Sequence, residues 1–201
     1  IDIAELRVDY LLPDERLHIR KFPELAGLPC ILTIRRMNDG GLYDAGESSR
    51  TTLFARALAY AEQDSRKNFA YIDMESDYFV SSLQDAALAF GTKIIRSYHN
   101  MTGMVSNIAG MMQKMRTTGF EIPKIACMPQ SLSDVTQMFK QAKTITDFEH
   151  IIIAMGPLGQ ATRILANKMN SCITYTSPKQ ENSILSEIGQ IDPITLNEIY
   201  N

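Results

Sequence analysis

The chain has 201 residues, 45% of them hydrophobic and 21% charged, with a formal net charge of −3 at pH 7. This is ordinary globular usage, which excludes disordered and collagen-like classes and gives no electrostatic reason to expect nucleic acid or an anionic membrane as partner. No apolar run reaches the eighteen or so residues of a membrane span. Cys30, Cys127 and Cys172 are far apart, odd in number and set in apolar runs. They are expected to be buried free thiols of a reducing cytoplasm rather than a disulfide framework. No CxxC or HExxH spacing calls for a metal, and no signal peptide is recognised.

In chain order, short β-branched runs alternate with stretches of helical period. Strands are expected at Ile3–Val8 and Cys30–Ile34, then a helix over Ser48–Ser65, a strand at Tyr71–Met74 and a helix over Tyr78–Phe90. The strand Lys93–Ser97, the helix Val105–Thr118, the strand Ile122–Met128 and the helix Leu132–Lys143 follow. The strand Ile151–Met155, the helix Gly159–Lys168, the strand Cys172–Thr176 and the helix Thr195–Tyr200 complete the series. Strict alternation implies parallel pairing and an α/β fold. An open doubly wound sheet would carry a Gly-rich loop after its first strand, but Tyr10-Leu11-Leu12-Pro13-Asp14 follows it here. The expected architecture is therefore a (β/α)8 TIM barrel in one domain over residues 1–201, with its first strand missing from this chain. Ile1 is not a native start residue, so an upstream strand is expected to pair between the edges at Ile3–Val8 and Cys172–Thr176.

Active sites of such barrels lie at the carboxyl ends of the strands. His99 is the histidine at that end; His18 falls in a polar helix and His150 precedes its strand. His99 is either the acid/base group of a reaction near neutral pH or a hydrogen-bonded loop histidine. Lys124 lies inside the apolar run Ile122-Pro123-Lys124-Ile125-Ala126-Cys127-Met128, where lysine is seldom placed without cause. If its face, shared with Ile122 and Ala126, points inward, desolvation favours the neutral amine that attack on a ketone requires. An outward-snorkelling lysine or a structural ion pair is the ordinary alternative. Glu5, Arg7 and Asp9 share a face, as do Asp73 and Glu75, while Arg35 ends a strand and Asp39 opens the next loop. Such a set is either an internal salt-bridge network or a polar ligand site. Arg163, in the first turn of its expected helix, is either a bidentate carboxylate clamp or a solvated arginine. Met111, Met112, Met115 and Met138 fall at helical spacing and are expected to fill core.

Taken in order, these stretches resemble the type I 3-dehydroquinate dehydratases over nearly the whole chain. The resemblance rests on Glu5-Leu6-Arg7-Val8-Asp9, on Thr33-Ile34-Arg35 followed by Asp39-Gly40-Gly41, and on Ile72-Asp73-Met74-Glu75. It continues with Ser97-Tyr98-His99-Asn100, Lys124-Ile125-Ala126, then Met155-Gly156 with Gly159 and Arg163, and it ends on the lid-like Ser186-Glu187-Ile188-Gly189-Gln190. It implies syn dehydration of 3-dehydroquinate to 3-dehydroshikimate in the shikimate pathway of aromatic amino acid biosynthesis, without metal or organic cofactor. By resemblance, Lys124 forms the Schiff base, His99 is proton donor and acceptor, and Asp39 orients His99. Glu5, Arg7, Arg35, Met155, Arg163, Ser186 and Gln190 would bind substrate. The resemblance also leaves room for a homodimer and for fusion to, or association with, shikimate dehydrogenase.

Four departures stand out. Asp39 replaces the usual glutamate and is shorter by one bond, about 1.5 Å. Glu187-Ile188 replaces Ala-Pro, Pro123 precedes the lysine and removes a backbone donor, and the family's first strand is absent. A class I aldolase acting on a sugar phosphate is the competing enzyme. It would need a Gly-rich phosphate site near the last strands, and Tyr175–Asn182 has no glycine. A catalytically silent assembly module is the competing non-enzyme.

Overall fold

Parallel strands covered on both faces read as near-continuous apolar runs, and six of the seven expected runs form strands. The computed structural model describes residues 1–59, 64–178 and 189–201. Its strands are β1 (Ala4–Arg7), β2 (Cys30–Thr33), β3 (Tyr71–Glu75), β4 (Lys93–Asn100), β5 (Ile122–Cys127) and β6 (Ile151–Ala154). Sheet order equals chain order. The pairs β1–β2, β2–β3 and β5–β6 are parallel, with Ala4 opposite Cys30, Leu32 opposite Ile72 and Lys124 opposite Ile151. Parallel neighbours need crossovers, which here carry α1 (Phe22–Ala26), α2 (Glu47–Leu58), α3 (Ser81–Ala89), α4 (Ile108–Met115) and α5 (Leu132–Ala142). After β6 come α6 (Gln160–Ile164) and the C-terminal helix Pro193–Tyr200. Start signals are local: Asn107 accepts from the Gly110 amide, and Ser131 with Asp134 closes a capping box at α5.

Backbone contacts divide the chain into two compact units, Ile1–Arg96 with Thr118–Glu121, and Ser97–Thr117 with Ile122–Asn201. Each has its own core. In the first, Leu6, Leu32, Ile34, Ile72, Met74 and Ile94 from the strands pack with Phe54, Leu58, Leu83 and Ala87 from α2 and α3. Strand alternation therefore sends Glu5, Arg7, Thr33, Asp73 and Glu75 to the opposite face. In the second, Ile125, Cys127, Ile152 and Ala154 pack with Met112, Met115 and Met138. The methionines are core filling as expected, and the face opposite Ile125 and Cys127 carries Lys124 and Ala126.

The seventh expected strand does not form. Cys172–Thr176 makes only isolated bridges, His150 with Ser171 and Thr176 with Ile191. A ladder there would need the Ile152 amide, which instead donates to the Ser171 hydroxyl at 3.1 Å. Cys172 is accordingly exposed, contrary to expectation, whereas Cys30 and Cys127 are buried free thiols, each pushed up to about 11 by burial. Among the described residues no helix is long and apolar enough to cross a membrane.

Candidate active site

In the first unit the charged face is an ion-pair network rather than a set of loose side chains. Arg7 holds Asp9 through two bonds, of 2.9 and 2.7 Å. Asp9 lies not on β1 but in the 3-10 turn Val8–Tyr10 that follows it. Its oxygens also accept from the Arg35 and Leu42 amides. Burial alone would raise the Asp9 carboxyl; the bond and charge of Arg7 with the two amides outweigh it and hold it below the usual range. Glu5 accepts from the Thr33 hydroxyl at 2.7 Å. Arg35, 4% exposed, pairs with Asp73 at 2.8 Å and Glu75 at 2.7 Å. Burial works against its charge, yet those two carboxylates leave its pKa raised.

The acid-Gly-Gly turn has a steric reason. A Cβ on Gly41 would meet the Arg35 carbonyl oxygen at 2.2 Å, so only glycine lets the turn close against the end of β2. Asp39 is set by that turn, and its carboxylate accepts from Arg36 at 2.8 Å. Burial raises the Asp39 carboxyl, the Arg36 bond opposes this, and the nearby Glu75 charge adds to the rise, so the net shift is upward.

In the second unit, Lys124 is 5% exposed in the middle of β5, and it is the one buried lysine among the described residues. Its Nζ sits 4.2 Å from the centre of the Tyr175 ring, a cation–π contact that no sequence signal singled out. The Tyr175 carbonyl in turn accepts from Arg163 Nη1 at 3.4 Å, so one residue touches both candidates. The run Ile173-Thr174-Tyr175 reads as strand in the sequence but forms none here. Arg163 is 3% exposed. Burial pushes it down to about 10, with only partial opposition from Tyr175. It sits in the last turn of the five-residue α6, not the first turn expected, because the 3-10 turn Pro157–Gly159 takes up the start. A carboxylate clamp at a helix N-terminus is therefore not what the structure builds here; the guanidinium is instead desolvated by burial.

His99 is half-buried and lies within β4, which runs three residues past the expected end, to Asn100. Met155 is buried directly after β6, and its amide donates to the Cys127 carbonyl at 2.7 Å. His150 is fully buried between the Phe148 and Met169 carbonyls, a structural position, and His18 is exposed. Ser186, with Glu187 and Ile188, lies outside the described residues. Gln190 is half-buried beside Gly189. At Gly189 (φ +79°) a Cβ would meet the Gly156 carbonyl oxygen at 2.3 Å, so glycine there brings Gln190 against the turn that follows Met155. Among the described residues no group of three or more His, Cys, Asp or Glu side chains could hold a metal ion.

The family model for type I 3-dehydroquinase matches residues 1–201, the entire chain. The chain belongs to the type I 3-dehydroquinase family. A 3-dehydroquinate dehydratase of Lactococcus lactis is 33% identical over 94% of this chain and 81% of its own length. A chloroplastic bifunctional 3-dehydroquinate dehydratase/shikimate dehydrogenase of Arabidopsis thaliana is 29% identical over 100% of this chain and 32% of its own. The crystal structure of the Aquifex aeolicus 3-dehydroquinate dehydratase superposes with a TM-score of 0.78 at 29% identity, covering 98% of this chain and 86% of that one. The parallel, chain-ordered strands and intervening helices are thus those of the type I 3-dehydroquinases, and the barrel class expected from the sequence holds.

Proposed function

We propose that this type I 3-dehydroquinase dehydrates 3-dehydroquinate to 3-dehydroshikimate through an imine on Lys124. The observation that carries the reading is a lysine, the one buried lysine among the described residues, held under an aromatic ring in the same unit as His99 and the desolvated Arg163. The neutral amine attacks the ring ketone and loses water to form an iminium, whose nitrogen takes up the electron pair released when His99 removes the neighbouring proton. His99 then returns a proton to the departing hydroxyl, and water hydrolyses the imine to free Lys124. Arg163 clamps the substrate carboxylate. Glu5, Arg7, Arg35, Met155, Ser186 and Gln190 serve substrate binding, and Asp39 supports the proton transfers of His99. The buried thiols of Cys30 and Cys127 fit a reducing cytoplasm. By the precedent of the plant relative, association with a shikimate dehydrogenase belongs to the same proposal. The test is direct: the protein is incubated with 3-dehydroquinate while the ultraviolet absorbance of the conjugated product is followed. A folded protein that yields no product at any concentration sinks the reading.

Asp39 carries its own test. Because its carboxyl is raised, loss of its charge on acidification should begin at a higher pH than for an ordinary aspartate, and the acid limb of kcat should follow it. Arg36→Leu removes the partner that opposes this rise, so the acid limb should move further up in pH. Asp39→Asn should lower kcat roughly 10- to 100-fold with KM little changed, and Asp39→Glu should be tolerated. An acid limb that stays in place in Arg36→Leu, with wild-type kcat in Asp39→Asn, removes Asp39 from the mechanism.

A further inference from the structure

Arg50 is a fully buried arginine that the proposed reaction does not use. It stands in the first turn of α2, four residues before the core residue Phe54, so the helix turns it inward with Phe54, Ala57 and Leu58. Its guanidinium lies 4.1 Å from the Tyr78 ring centre and 5.5 Å from that of Phe54. Nε donates to Glu47 at 2.9 Å. Nη1 donates both to the carbonyl of Ile34, the residue before Arg35, at 3.0 Å and to Glu75 Oε2. Glu75 Oε1 is the oxygen that Arg35 Nη1 holds at 2.7 Å. One carboxylate thus hydrogen-bonds two arginines, one oxygen each, with Arg36 Nε further off at 4.0 Å from Oε2.

We propose that Arg50 is a positioning residue for Arg35, acting through the shared Glu75 carboxylate. The proposal rests on the substrate-binding role given to Arg35 above. Taken by themselves, Arg35, Asp73 and Glu75 carry one negative charge in excess, and an arginine held between two carboxylates has its donors drawn away from a ligand. Arg50 places a positive charge on the other Glu75 oxygen and, anchored on a backbone carbonyl and two rings, fixes the plane of Glu75 and with it the plane of the Arg35 fork. Such an arrangement orients donors toward hydroxyl or carboxylate groups of substrate without Arg50 touching them.

The experiment compares wild type, Arg50→Met, the double variant Arg50→Met with Glu75→Gln, and Arg50→Lys. Arg50→Met should raise KM about tenfold or more, with kcat changed less than about threefold. The double variant removes the Glu75 charge together with that of Arg50, while its amide oxygen still accepts from Arg35, so it should recover most of the KM loss without recovering thermal stability. An unchanged KM in folded Arg50→Met, or a double variant no better than the single one, overturns the proposal. Should Arg50→Met fail to fold, Arg50→Lys decides. It keeps the charge but cannot reach Glu75, Glu47 and Ile34 together, so an unchanged KM there is equally fatal. Nuclear magnetic resonance of the Arg35 guanidinium gives a substrate-independent reading, with slow Nε–Cζ rotation expected in wild type and faster rotation in each single variant. A wild type inactive on 3-dehydroquinate would sink the proposed function, and the resonance result would still decide the positioning role.

Discussion

Lys124→Ala is expected to abolish covalent trapping and to cut turnover of 3-dehydroquinate by about 10⁴-fold or more, the scale on which deletion of a covalent nucleophile acts. In β5, Ile125 and Cys127 face the α4 and α5 core, so Lys124 cannot point outward, and its 5% exposure rules out snorkelling. Its amine sits 4.2 Å from the centre of the Tyr175 ring. An imine is reducible. Borohydride added with substrate or product should therefore fix the ligand, and peptide mapping should find the added mass on Lys124. The described lysines Lys21, Lys93, Lys114, Lys140, Lys143 and Lys168 are exposed and should stay unlabelled. His99→Ala should cripple turnover yet still allow slow trapping, because the nucleophile is intact. Full turnover by Lys124→Ala, or mass on another lysine, defeats the mechanism.

The strands were legible because a parallel sheet covered on both faces demands unbroken apolar runs, and Cys30–Thr33 and Ile151–Ala154 are buried at every position. Periodicity alone could not tell that Cys172–Thr176 would make only isolated bridges. That depends on a side chain, the Ser171 hydroxyl, taking the Ile152 amide that a ladder would have used. The charged positions of the site were legible for a related reason: Lys124 and Asp73 interrupt apolar strands, and Arg35 follows one, at a cost that burial makes plain. What each one touches was not. Asp39 was read with His99 in mind, whereas its bonded partner is Arg36, next to Arg35 in sequence. Tyr175 escaped because it lies in a run that looked like strand. Arg50 escaped because an arginine in a Ser- and Thr-rich helix start reads as surface, although its spacing to Phe54, Ala57 and Leu58 marked the inward face.

Arg163→Met is expected to separate binding from stability. Burial pushes the guanidinium down to about 10, a penalty on the order of 3 kcal/mol for carrying the charge at neutral pH. The folded state binds this proton less well than the unfolded chain, so the cost is fully present below about 10 and is relieved as the pH rises from there toward the ordinary arginine range. Replacing the group with an apolar side chain of similar length removes that cost, and the ligand-free variant should melt no lower than wild type. A bound carboxylate does the opposite, since it compensates the desolvated charge at short range, and truncating one partner of such a pair costs roughly 2–5 kcal/mol. KM should therefore rise by about two orders of magnitude or more, with kcat reduced much less because Lys124 and His99 are untouched. Arg163→Lys keeps the charge without the planar fork and should fall between the two. The decisive measurement is the melting temperature with and without saturating product. The ligand-induced rise should be large in wild type and nearly absent in Arg163→Met. An equal rise in both, with KM unchanged, would show that Arg163 does not hold the carboxylate.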